Sequence, residues 1–114
     1  MGDNMKRVVV MLADGFEEIE ALTPVDLLRR ADVEVLTVGA ELVKGSRGIN
    51  VASDISVNDF LEDCKKNGLP DAIIVPGGLN GTKNLANCKK AQNLLLEMWQ
   101  EKKIVCAICA APVI

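Results

Sequence analysis

Arg7-Val8-Val9-Val10-Met11-Leu12 is an unbroken apolar run closed by Ala13-Asp14-Gly15. A strand with one wet face alternates apolar and polar residues. A run without alternation reads instead as a strand buried on both faces, which a parallel sheet covered by helices provides. Turn chemistry at 13–15 ends it. Outward from this strand, Ile19, Leu22, Val25, Leu28 and Ala31 recur at helical spacing over 17–31, with Pro24 removing one backbone hydrogen bond and bending the helix. Residues 33–38 read as a second strand, and 43–55 as a shorter β-hairpin around Gly45 and Gly48. Asp71-Ala72-Ile73-Ile74-Val75 is another buried strand, broken at Pro76-Gly77-Gly78. Asn84-Leu85-Ala86 marks a turn of helix, and Ala91, Leu94, Leu95, Met98 and Trp99 form the core stripe of a helix ending at Glu101-Lys102-Lys103. A last strand of buried character spans 103–108. The alternation of β-type and helical patterns predicts an α/β domain.

A chain of 114 residues with 49% apolar content forms one domain and is too short for two ordinary ones. Its 13 Lys+Arg and 16 Asp+Glu leave a net charge of −3, with no basic cluster or acidic tail, so no nucleic-acid and no membrane partner is expected. Residues 1–5 read as a flexible N-terminus without an apolar signal core, and no apolar run reaches membrane-spanning length, which predicts a cytoplasmic protein. Cys64, Cys88, Cys106 and Cys109 are irregularly spaced, which favours reduced thiols over a disulfide framework. The absence of histidine excludes a Cys-His or Ser-His dyad within the chain and removes the commonest transition-metal ligand; no metal and no cofactor is expected.

The chemistry concentrates where the last strand delivers Cys109 into Ala110-Ala111-Pro112, a small-residue turn at a helix start. Unpaired N–H groups and the positive end of a helix dipole favour thiolate over thiol there. In doubly wound sheets ligands bind beyond the carboxyl ends of the strands, so the loops at 13–18, 76–81 and 109–112 should converge in one crevice. Glu17 and Glu18 read as carboxylates complementing a helix dipole. The amides of Gly77 and Gly78 suit a developing oxyanion. Cys106 completes a C-x-x-C spacing with Cys109 but belongs to a strand and reads as core; Cys64 and Cys88 receive no role.

Four motifs in order, Leu12-Ala13-Asp14-Gly15-Phe16-Glu17-Glu18-Ile19-Glu20, Pro24-Val25-Asp26-Leu27-Leu28-Arg29-Arg30, Val75-Pro76-Gly77-Gly78 and Ala107-Ile108-Cys109-Ala110-Ala111-Pro112, resemble the ThiJ/PfpI superfamily, within it the DJ-one deglycase branch. The resemblance runs from about Lys6 to the last residue. It implies a flavodoxin-like parallel sheet sandwiched by helices, with Cys109 as the reactive cysteine and a protonated Glu20 hydrogen-bonded to its thiolate. It also implies an oxyanion pocket from the N–H groups of Gly78 and Ala110 beside Gly77, and a homodimer in which Arg30 approaches the partner's site. The chain departs from the pattern at Leu79-Asn80, where relatives have Asn before Leu, and at Ala111, where glycine is common; both positions bear on substrate preference.

Family members continue for several strands and helices past the position of Ile114, so the fold is expected to be incomplete in this chain. Exposed apolar surface and unpaired backbone at such a boundary are costly, and the expected partner is a C-terminal fragment of the same protein held beside it. The resemblance implies a cofactor-independent glyoxalase or deglycase acting on 2-oxoaldehydes such as methylglyoxal or their protein adducts. Oxidation of Cys109 in a redox sensor or chaperone is the alternative. A peptidase or amidotransferase-like hydrolase ranks last, because it needs a histidine that this chain lacks.

Overall fold

The computed structural model describes residues 6–109 and residue 111. Residues 1–5, expected as a flexible N-terminus, lie outside the described residues. The elements run β1 (Arg7–Met11), α1 (Glu18–Arg30), β2 (Glu34–Val38), β3 (Leu42–Lys44), β4 (Asn50–Ala52), α2 (Val57–Asn67), β5 (Ala72–Val75), α3 (Leu79–Ala86), α4 (Lys89–Gln100) and β6 (Ile104–Ala107). Four of the strands form a parallel sheet in the order β2-β1-β5-β6, and β3 pairs antiparallel with β4 as a separate hairpin. The topology is the α/β sheet that the apolar runs predict.

β1 shows why those runs lack alternation. Val8, Val10 and Leu12 face one core with Phe16, Ala21, Val25, Val35 and Val43, while Val9 and Met11 face another with Phe60, Ile73, Val75, Leu94 and Met98. Successive side chains point to opposite faces, and both faces are covered. α1 and the hairpin lie over the first face; α2, α3 and α4 contribute to the second. β1 is therefore held at fixed height in the middle of the molecule, with its carboxyl end opening between the loops that follow β1 and β5.

α1 runs through Pro24 without interruption, although Pro24 cannot donate to the Glu20 carbonyl. Its buried positions are Glu18, Ala21 and Val25, while Ile19, expected in the buried stripe, is 71% exposed. α1 and α4 both end in a Schellman turn. Asp32 (φ +63°) and Lys102 (φ +60°) occupy the left-handed position, and Val33 and Lys103 donate back to the Leu28 and Met98 carbonyls at 3.0 and 2.9 Å.

α2 has no counterpart in the sequence reading. It is capped by Ser56, whose Oγ accepts from the Asp59 N–H at 3.0 Å, and only Phe60 is fully buried. Arg7 pairs with Asp63 of this helix and stacks on the Phe60 ring at 5.2 Å. α3 is also longer than the single turn expected at 84–86.

Two core assignments need correction. Trp99 lies on the outer side of α4, 72% exposed, while Ala91, Leu94 and Met98 carry the packing. Cys106 is exposed, not core. β6 is the edge of the sheet, and although Val105 packs toward the α4 side, Ile104 and Cys106 point to the other face, which α1 does not reach.

Candidate active site

The loop 12–17 leaves β1 and is fastened on three sides. Gly15 N–H donates to the Lys44 carbonyl (2.8 Å), Lys44 N–H to Asp14 Oδ1 (3.0 Å), and Asn84 Nδ2 to the Asp14 carbonyl (2.7 Å). Phe16 is buried, and its carbonyl accepts from Ser46 N–H at 2.7 Å. Glu17 then caps α1, its two oxygens accepting from the Ile19 and Glu20 N–H groups at 3.3 and 3.0 Å, as its reading as a dipole-complementing carboxylate requires.

Glu18 was expected to do the same and does something else. It is 5% exposed and turns toward the hairpin, where Oε1 accepts from Ser46 Oγ (3.2 Å) and Oε2 from the N–H groups of Arg47 (2.8 Å) and Ile49 (3.2 Å). Burial pushes its pKa up, but these hydrogen bonds outweigh it and hold the carboxyl below its usual 4.5. The partners lie 28–31 positions away in sequence. The sequence signal that could have found them is Gly45: a Cβ there would fall 2.4 Å from the Glu18 carboxyl carbon.

The loop after β5 meets α1 through both backbone groups of Gly77. Its carbonyl accepts from Glu17 N–H (3.0 Å), and its N–H donates to Glu20 Oε1 (2.8 Å). An ideal Cβ on Gly77 would lie 2.3 Å from Glu20 Oε1 and 2.8 Å from Cys109 Cβ, so acid and thiol flank this one residue and are separated by no more than the sum of those distances. The Glu20 carboxyl makes its hydrogen bond to Gly77 and none to Cys109 among the described residues. Gly78 (φ +100°) passes so close to the first loop that a Cβ would meet the Gly15 carbonyl oxygen at 2.3 Å. Its N–H has no partner among the described residues.

Cys109 follows β6 with φ +59°, a left-handed conformation that costs a side chain about 1 to 3 kcal/mol. Ile108 N–H is tied to the Val75 carbonyl (3.1 Å) and Ala111 N–H to the Ile108 carbonyl (3.0 Å), and Ala111 is buried. The strained residue therefore sits between two anchored neighbours, with its thiol exposed. It lines an opening of about 490 Å³ together with Glu17, Ser46, Arg47, Gly78 and Asn80. Ala110, the other expected oxyanion donor, lies outside the described residues. Arg30 is not part of this opening; its Nε pairs with Asp26 Oδ1 at 3.1 Å on the exposed side of α1. Among the described residues no cluster of three or more His, Cys, Asp or Glu could hold a metal ion, and no helix is long and apolar enough to cross a membrane.

The DJ-1/PfpI family profile matches residues 6–114. The chain belongs to the DJ-1/PfpI family. The Parkinson disease protein 7 homolog of Danio rerio is 39% identical over 110 residues, which are 94% of this chain and 56% of that protein. The glutathione-independent glyoxalase DJR-1.2 of Caenorhabditis elegans is 31% identical over 116 residues, 100% of this chain and 59% of that one. The crystal structure of Drosophila melanogaster DJ-1beta superposes with a TM-score of 0.88 at 33% identity, covering 96% of this chain and 57% of that one. The chain thus spans a little over half the length of these DJ-1 relatives.

In this DJ-1/PfpI chain, Glu20, Gly77, Gly78 and Cys109 come from three separate stretches and meet at the carboxyl ends of β1, β5 and β6. Sequence reasoning named these residues. It missed the hairpin tip, which supplies Ser46 and Arg47 to the same opening.

Proposed function

We propose that this chain carries the nucleophile of a cofactor-independent glyoxalase or deglycase that acts on 2-oxoaldehydes such as methylglyoxal or their protein adducts. The observation that carries the reading is the exposed Cys109, held in a left-handed conformation beside Gly77, with the Glu20 carboxyl on the other side of that glycine. The glyoxalase named among the relatives supports it.

In the proposed reaction, Cys109 Sγ adds to the aldehyde carbon and the carbonyl oxygen takes up the charge, forming a hemithioacetal. The unpartnered Gly78 N–H stands where it can receive that oxygen; Ala110 N–H is the second proposed donor. Glu20 carries the proton from the former aldehyde carbon to the neighbouring carbonyl carbon, oxidising the first and reducing the second, and leaves a thioester. Water cleaves the thioester, releasing a 2-hydroxyacid and restoring the thiol. No outside oxidant or reductant enters. The complete enzyme is proposed to be a homodimer that includes the C-terminal part of the domain, with Arg30 near the partner's site.

Lactate formation from methylglyoxal without glutathione tests the proposal. Cys109→Ser should abolish it and Glu20→Gln should reduce kcat/KM by about 10² to 10⁴-fold. A Cys109→Ser protein with full activity refutes it. Denaturing intact-mass measurement of purified protein tests the proposed C-terminal companion in the same preparation.

A second reading is favoured by the exposure of Cys109: peroxide would oxidise it stepwise to the sulfinate, making it a redox sensor. Peptide mapping after peroxide titration should then show two added oxygens on Cys109 before any on Cys106, the other exposed cysteine.

A further inference from the structure

Arg47 brings a positive charge to the opening beside Cys109, on a backbone that the fold holds rigidly. We propose that Arg47 is the anion-recognition group of this site, and that its substrates are small carbonyl compounds bearing a carboxylate or a phosphate. The inference rests on Cys109 as the nucleophile and adds the class of molecule that reaches it.

The first support is placement. Arg47 sits at the tip of the β3–β4 hairpin, and Glu18, itself nearly inaccessible, holds the N–H groups of Arg47 and Ile49 and the hydroxyl of Ser46. Gly45 N–H donates to the Ile49 carbonyl at 2.8 Å, closing the turn, and Ser46 N–H is bound to the loop that carries Glu17. A buried carboxylate has been spent on fixing a surface turn whose side chains border a reactive thiol.

The second is that the guanidinium is left over. Arg7, Arg29 and Arg30 each pair with an aspartate, Asp63, Asp54 and Asp26 respectively, whereas the Arg47 side chain has neither ion pair nor hydrogen bond among the described residues. Glu17 is the other charged residue lining the opening, and both its oxygens are engaged by backbone N–H groups at the positive end of α1. Arg47 is thus the group with donors to spare. A guanidinium binds carboxylates and phosphates through paired hydrogen bonds, and does so best where its backbone is preorganised. The Asn80 amide borders the same space as a neutral donor.

Iodoacetate and iodoacetamide test this without requiring turnover of any aldehyde. They are nearly isosteric, one anionic and one neutral, and each is attacked by Sγ at carbon with loss of iodide. Rates at Cys109 are read by peptide mass mapping, with exposed Cys106 as an internal reference. The iodoacetate-to-iodoacetamide rate ratio at Cys109 should exceed that at Cys106 by about tenfold, fall to the reference value in Arg47→Gln, survive in part in Arg47→Lys, and collapse in 1 M salt. Inorganic phosphate or acetate added as a competitor identifies the preferred anion by which slows iodoacetate more. A ratio equal at the two cysteines, or unchanged in Arg47→Gln, overturns the anion site while leaving Cys109 as nucleophile. A Cys109 inert to both reagents overturns the nucleophile reading and the anion site with it.

Discussion

Replacing Gly77 by alanine is the most direct perturbation of the proposed site. Gly77 does not adopt a left-handed φ, so alanine meets no backbone penalty and the test is one of space alone. The new methyl would start 2.3 Å from Glu20 Oε1, 2.8 Å from Cys109 Cβ and 3.0 Å from the Ile108 carbonyl oxygen, where ordinary contact begins at 3.4 Å. Glu20 can swing its carboxyl aside by about 1 Å, giving up the hydrogen bond to Gly77 N–H. Cys109 Cβ is attached directly to a backbone pinned on both sides, and must move by about half an ångström. A reacting group displaced by up to about 1 Å loses on the order of 10²-fold in rate, which is about 2.7 kcal/mol of transition-state stabilisation, and overpacking adds about 1 to 3 kcal/mol of lost stability. The assay is kcat/KM for methylglyoxal, alongside the iodoacetamide rate at Cys109 and a urea melt. Gly77→Ala with wild-type kcat/KM and wild-type alkylation would show that Gly77 does not separate the acid from the thiol, and the geometric argument would fail.

Lys102→Gly should raise stability by about 1 kcal/mol by relieving a side chain in the left-handed position of a Schellman turn, seen as a higher urea midpoint with unchanged m; Asp32→Gly should follow the same direction with a smaller gain, since aspartate tolerates that conformation better. Glu18→Ala should free the hairpin tip and accelerate limited tryptic cleavage after Arg47, and Gly45→Ala should mimic it by expelling the Glu18 carboxyl; equal cleavage rates in all three proteins would refute the clamp. Burial pushes the Asp54 pKa up, but the hydroxyl and N–H of Thr37 and the Arg29 guanidinium outweigh it and hold the carboxyl below its usual 3.8. A depressed folded-state pKa gives stability that is complete above 3.8 and lost as pH falls below it, so Asp54→Asn should narrow the gap between melts at pH 6 and pH 3 relative to wild type.

The fold was legible wherever burial was complete. β1 and β5 announce themselves because both faces are covered and no polar residue is tolerated, and α1 because its cap and its termination are local. α2 escaped because one buried aromatic, Phe60, does most of its packing and leaves little apolar periodicity; Ser56 with Asp59, and Gly68 at the end, were the usable signals. Trp99 was misplaced because helical spacing says which residues share a face, not how wide the covered strip is. At the site, Glu20, Gly77, Gly78 and Cys109 were named from motifs. Arg47 and the role of Glu18 were not, because a carboxylate holding a distant turn looks in sequence like any other acid near a helix start.

Cys109 closes the last described strand, whereas Glu20 belongs to the first helix and Gly77 follows the third strand of the sheet. During synthesis, which proceeds from the N-terminus, every other part of this constellation emerges first. A growing chain can pair β1 with β2 and β5 and still present no strained thiol, since the left-handed turn at Cys109 depends on β6 docking beside β5. On the ribosome the reactive sulfur is therefore dormant, and it becomes chemically distinct from the other cysteines only as the sheet takes up its final strand.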